Sequence, residues 1–212
     1  MKKIILGIFM IASVFALNAQ KFEGEVIFNY TYNDLPEGME GMEAMLPKEM
    51  TITVKNNISK IDMSMGMGMS MSIISNSENK KSTMYMDMMG QKIAFEKTIS
   101  KKEETAVKNQ TIKITKETKV IAGYTCTKAI IKNGENEMEV WFTKELPKLG
   151  NGSQIKGLDG FPMEFTVNNG GMNITISASK VEKKKVSDTT FQVPEGYEMK
   201  TEEEMKKLIP GM

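Results

Sequence analysis

Residues 61 to 74 read Ile61-Asp62-Met63-Ser64-Met65-Gly66-Met67-Gly68-Met69-Ser70-Met71-Ser72-Ile73-Ile74. Apolar residues alternate with small or polar ones, and a period of two is the spacing at which a strand turns one face to a core. Ile61, Met63, Met65, Met67, Met69, Met71 and Ile73 share one side; Asp62, Ser64, Gly66, Gly68, Ser70 and Ser72 share the other. As one strand the segment would run ~40 Å at ~3.3 Å per residue, well beyond the usual strand length. It must therefore bend, and Gly66 and Gly68 are the expected places. A second ladder follows in Met84, Met86 and Met88, with Tyr85 and Asp87 facing away. Pairing of the two would give one continuous sheet of thioethers.

The alternation continues outward in both directions. Phe22, Val26, Phe28 and Tyr30 share a parity, and strands are expected at 50–54, 58–74, 82–88, 92–99, 110–120, 124–132, 137–143, 163–167 and 173–181. Asn56-Asn57 and Asn133-Gly134 supply hairpin turns, Ala122-Gly123 a break, and Asn168-Asn169-Gly170-Gly171 a further link. Two short helices interrupt the pattern. Met39, Met42, Met45 and Leu46 recur at helical spacing within 36–46 before Pro47. Thr201 with Glu204 forms a capping box ahead of Met205, Leu208 and Ile209. The expected fold is mainly β: a single curved antiparallel sheet or half-open barrel, with about two short covering helices.

The N-terminus has the form of a secretory signal: Lys2 and Lys3, an apolar run from Ile4 to Leu17, then Ala19 before Gln20. The run is shorter than the roughly 20 residues a membrane-spanning helix needs. Residues 1–19 are thus expected to be removed, leaving 20–212 as one domain without a transmembrane segment, in the periplasm or cell envelope. No cysteine follows the run, so release rather than lipid tethering is expected. The chain holds 28 basic residues, all lysine, against 27 acidic ones and no histidine. This near-neutral balance excludes nucleic acid, which needs a concentrated basic face. Cys126 is the single cysteine, so no intramolecular disulfide can form and stability must come from a packed core.

Catalytic chemistry finds no constellation. Without histidine the usual general base and the usual zinc ligand are both missing, and no serine sits in a nucleophile-elbow pattern. Cys126, inside a predicted strand, reads as a buried small hydrophobe, and Glu137 and Glu139 as strand surface. The chain is read as a non-enzyme without a cofactor. The methionines carry what functional signal there is. Methionine specifies a rigid core poorly but adapts to variable apolar shapes. Met63, Met65, Met67, Met69, Met71, Met84, Met86 and Met88, with Phe28 nearby, are therefore candidates to line an apolar cavity for lipid or another hydrophobic ligand. Thioethers are also soft ligands, so a Met-based Cu(I) protein is the alternative. A structural or interaction domain whose methionines only pack its core is the third reading.

Four stretches carry a family resemblance: Lys119 to Ala129, Glu139 to Pro147, Gly157 to Phe165, and Phe191 to Tyr197. In that order they resemble a domain-of-unknown-function family of secreted Bacteroidota-type proteins. They are also similar to the family named for its Gly-Leu-Pro-Gly-Leu-Ile (GLPGLI) motif, with Asp159 and Phe161 at the positions of its proline and second leucine. Both look similar to the lipoprotein-sorting (LolA/LolB-like) superfamily. That resemblance implies a half-closed antiparallel barrel with helices in its mouth and an apolar cavity for lipid or a lipoprotein acyl chain. Carriers of that superfamily fasten their lid with an arginine, which this chain lacks.

Overall fold

A computed structural model of the chain describes residues 22–35, 43–98, 110–134, 136–147, 158–169 and 172–208. Residues 1–19, expected to be a signal peptide, and Met39, Met42 and Ile209 of the two expected helices, lie outside these residues. The strands are β1 (Glu23–Asp34), β2 (Glu49–Lys55), β3 (Ile58–Ser64), β4 (Ser70–Asn76), β5 (Lys81–Met88) and β6 (Gln91–Thr98). They continue as β7 (Gln110–Ile121), β8 (Tyr124–Asn133), β9 (Asn136–Thr143), β10 (Phe161–Asn169), β11 (Met172–Lys183) and β12 (Glu198–Lys200). One α-helix among the described residues, α1 (Glu202–Leu208), follows β12, and 3-10 turns occur at Glu43–Met45 and Asp188–Phe191. The expected helix over 36–46 is thus, in its described part, a single 3-10 turn.

All twelve strands join one open, curved sheet in the order β12-β6-β5-β4-β3-β2-β1-β11-β10-β9-β8-β7. Two antiparallel meanders, β1 to β6 and β7 to β11, meet at a seam where β1 pairs with β11. The expected mainly-β curved sheet is what forms, with one addition. Residues Glu198–Lys200 run parallel to β6, which makes the sheet mixed.

The methionine ladder is not one bent strand. It breaks into β3 and β4, and Met67 and Gly68 occupy the turn between them with φ of 62° and 73°. With Gly66 they make a three-residue loop between the Met65 and Met69 positions, and their left-handed backbone reverses the chain tightly. Met69 N–H donates to the Gly66 carbonyl (3.3 Å), and Met65 N–H to the Met69 carbonyl (2.9 Å). Gly66 acts differently. A Cβ there would lie 1.8 Å from the Ala44 carbonyl oxygen, so the glycine lets the 44–45 backbone press against the hairpin. Gly66 N–H donates to the Met45 carbonyl in that contact.

The even-numbered face of β1 lies at the centre of the core. Val26 and Phe28 are fully buried, and Phe28 stacks on Phe161 of β10 with ring centroids 6.3 Å apart. Ile121, Cys126, Leu146 and Met163, from the second meander and the segments after it, pack in the same cluster as Phe22, Ile52 and Val54. The sheet therefore curls far enough for its two halves to share one core. Each large side chain fully buried here contributes about 2–3 kcal/mol relative to exposure. A second cluster sits near the β6 edge, where Met205 of α1 is 1% exposed against Met86, Ile93 and Phe95. The capping box read in the sequence holds that helix. Thr201 N–H donates to the Glu204 carboxylate (2.8 Å), and Glu204 N–H to Thr201 Oγ1 (3.3 Å).

Asparagine is far better suited than methionine to the first left-handed turn position. Met67→Asn should stabilise the fold by about 1 kcal/mol, raising Tm by about 2–4 °C for a domain of this size. Gly68→Ala should cost about 1 kcal/mol. Thermal unfolding of the two variants checks the turn; equal and unchanged midpoints would show that 67–68 does not set it.

Candidate functional site

The fold-back turns a linear ladder into a two-dimensional patch. Across the sheet, Phe28 pairs with Met50, Met50 with Met63, Met63 with Met71, Met71 with Met86, and Met86 with Ile93. The neighbouring rank runs Val26, Ile52, Ile61, Ile73, Met84 and Phe95 in the same register. Side chains on adjacent strands in register stand ~5 Å apart at Cβ, close enough for flexible thioethers to touch along each rank.

Exposure divides the predicted residues into three groups. Met63, Met65, Met69, Met71, Met84 and Met88 are half-buried, and Met86 is buried beside Met205. Met67 is 61% exposed at the hairpin tip, so it does not line the patch as expected from its parity. Phe28, beside Met50 in the rank, is sealed in the core against Phe161, out of reach of a ligand. Sequence reasoning placed Met50 in a strand without assigning it to the site, because it stands alone rather than in a Met-x-Met run. The pairing register makes it the link between Phe28 and Met63.

A phenol sits over the joint. The Tyr30 hydroxyl lies 3.3 Å from Met63 Sδ and 3.6 Å from Met50 Sδ. Its ring stacks on Tyr32 at 6.2 Å, and Tyr32 O–H donates to the Pro47 carbonyl at 2.6 Å. Burial, with the neighbouring Tyr32 adding to it, pushes the Tyr30 phenol up to about 12. The reverse face of the same strands is polar. Asp62 accepts from Ser72 Oγ (2.6 Å) and pairs with Lys60 (3.0 Å), and Lys60 stands over the Tyr85 ring, whose edge contact is Tyr197. A cleft of about 310 Å³ lies at the β2–β3 turn, lined by Lys55, Asn56, Asn57, Ile58, Glu78, Asp188 and Phe191 rather than by the methionines. In the second meander Cys126 is fully buried, and burial pushes its thiol up to about 11. Glu137 and Glu139 are ion-paired across the strand to Lys132 (2.7 Å) and Lys128 (2.8 Å).

The family model described as "N-glycanase peptide, N-terminal domain" matches residues 48–203, and the chain belongs to that family. The matched stretch takes in all four sequence motifs between Lys119 and Tyr197. Among solved structures, PNGF-II in a C2 crystal form is similar with a TM-score of 0.54 and 18% identity over 85% of this chain. The P21 form gives 0.56 and 17% over 89%. The chain spans only 31% and 33% of those two proteins, so the likeness concerns the fold of this domain alone. LprF from Mycobacterium bovis is 15% identical over 80% of this chain and 90% of its own, with a TM-score of 0.33, too low to carry an argument. No curated protein matches the sequence.

Alkaline unfolding tests the burial of Cys126 and Tyr30. A pKa raised in the folded state gives stability that is intact below the unfolded value and lost as pH climbs to the folded one. Stability should fall from pH 9.0 to about 11 through Cys126, and from 10.0 to about 12 through Tyr30. Denaturant melts across this range should show a shallower decline for Cys126→Ala and Tyr30→Phe. Identical slopes in wild type and both variants would contradict the burial assignment.

Proposed function

We infer that this member of the N-glycanase N-terminal-domain family is an exported, non-catalytic binding module of the periplasm or cell envelope. Its methionine face takes up an apolar ligand of the acyl-chain kind. The observation that carries this reading is the continuous, half-exposed thioether surface over β3, β4 and β5, bounded by α1 on the β6 side. A rigid core would bury such residues fully and would draw on leucine, isoleucine and valine. Methionine on a partly open face gives apolar contact without demanding one shape of partner. The four motifs resemble families that are themselves similar to the lipoprotein-sorting superfamily, and that resemblance favours an acyl chain over an apolar peptide.

Two further features support a binding role. The family is named for an N-terminal domain of an N-glycanase, which suits an accessory module. The nucleophile with the strongest intrinsic reactivity, Cys126, is buried with its thiol raised, which opposes thiolate chemistry. Capture would then rest on burial of apolar area, about 25 cal/mol per Å², with few directional bonds.

The test uses cis-parinaric acid, whose fluorescence rises on entering an apolar site. The wild-type protein should give a saturable rise. The triple variant Met65→Gln, Met69→Gln, Met88→Gln should weaken binding at least tenfold, while leucine at the same three positions should retain it. A flat titration for wild type, or a glutamine variant that binds as well, would sink the acyl-chain reading.

A further inference from the structure

We propose that Met50 and Met63, with Met71 as the third donor, form a binding site for a soft monovalent cation, Cu(I) in the cell. The site does not depend on the apolar-ligand reading, because it uses sulfur lone pairs rather than apolar area. The primary observation is convergence. One hydroxyl, Tyr30, lies within hydrogen-bond reach of two thioether sulfurs carried by different strands, at 3.6 Å for Met50 and 3.3 Å for Met63. Both sulfurs therefore sit within 3.6 Å of one oxygen. Two thioethers held that close can be brought onto one cation by rotation of their side chains.

The register supplies the rest. Met63 pairs directly with Met50 on one side and with Met71 on the other. In-register neighbours on one face stand ~5 Å apart at Cβ. The three rotatable bonds of each methionine can bring three sulfurs around one ion without moving the backbone. Met50 is buried and Met63 half-buried, with Phe28 next along the rank, so the surroundings are apolar.

The donor set decides which ion fits. Thioethers are soft and uncharged, and soft ligands select Cu(I) over hard divalent ions. An uncharged, partly desolvated site also penalises a double charge far more than a single one. Tyr30 O–H donates toward both sulfurs, so the hydroxyl has to turn aside for an ion to enter. No electron is transferred in this step. Cu(I) arrives reduced and exchanges weaker ligands for sulfur.

Silver(I), which has the same softness and no redox chemistry, is the first probe, in chloride-free buffer. Copper(I) kept reduced with ascorbate under nitrogen is the second. Binding is read by isothermal titration and by the methyl resonances of labelled methionine. One equivalent should shift the Met50, Met63 and Met71 methyls together, with Zn(II) producing no shift. Met63→Leu should weaken binding at least tenfold, and Met50→Leu, Met63→Leu should abolish it, whereas Met67→Leu, Met89→Leu at the exposed tips should leave it unchanged. Leucine preserves the apolar face, so parinaric acid binding should survive in the Met50/Met63 variants, which separates the two readings. Shifts confined to Met67 and Met89, or full silver affinity in Met63→Leu, would overturn the proposal. If the double variant fails to fold, the wild-type methyl shifts and Met63→Leu still decide it.

Discussion

The pair of left-handed residues at Met67 and Gly68 governs the arrangement of the first meander. Once that turn is fixed, Met63 must face Met71, and the parity of β3 is handed on to β4 and β5. A slip of one residue would send every methionine to the polar side, where Asp62, Ser72 and Tyr85 now stand. The energetic case for the correct register is thus carried by both faces. Apolar surface is buried on one, and the Lys60–Asp62–Ser72 group is satisfied on the other. Gly66 ties this hairpin to the 44–45 backbone, which in turn leads into β2 and the contact of Tyr32 with Pro47.

The two halves of the sheet have different characters. The β1–β11 seam and the strands that fold toward it carry aromatic and aliphatic side chains that are fully buried, with Phe28 and Phe161 stacked at the centre. Toward β6 the core thins, and a seven-residue helix with one buried methionine is the cover on that side among the described residues. Stability is therefore concentrated at the seam, and adaptability toward the β6 edge. A binding surface is better placed at the second, where repacking disturbs the fewest buried contacts.

Much of this was legible in the sequence. Period-two alternation located the strands and assigned their faces, and Asn133-Gly134 and the Thr201–Glu204 box marked a hairpin and a helix that the structure contains. The break inside the ladder was not legible as a hairpin, since methionine is an unusual first turn residue and the alternation runs through it without a slip. Parity survived the error because the five residues from Met65 to Met69 reverse the chain in register about Met67. Met50 was missed because its role depends on pairing between β2 and β3, which no local pattern encodes. Strand β12 was missed because three residues, Glu198 to Lys200, hold no periodicity to read.

The tips of the hairpins have a consequence for chemical wear. Met67 and Met89, 61% and 72% exposed, project beyond the sheet, whereas Met86 is enclosed with Met205. A dissolved oxidant reaches the tips first, and a sulfoxide there adds a polar oxygen to a side chain already in water. The same oxygen on Met86 would force a polar group between Ile93 and the helix. The sheet thus spends its expendable sulfurs at the perimeter and keeps its structural ones inside, so damage is ordered from harmless to disruptive.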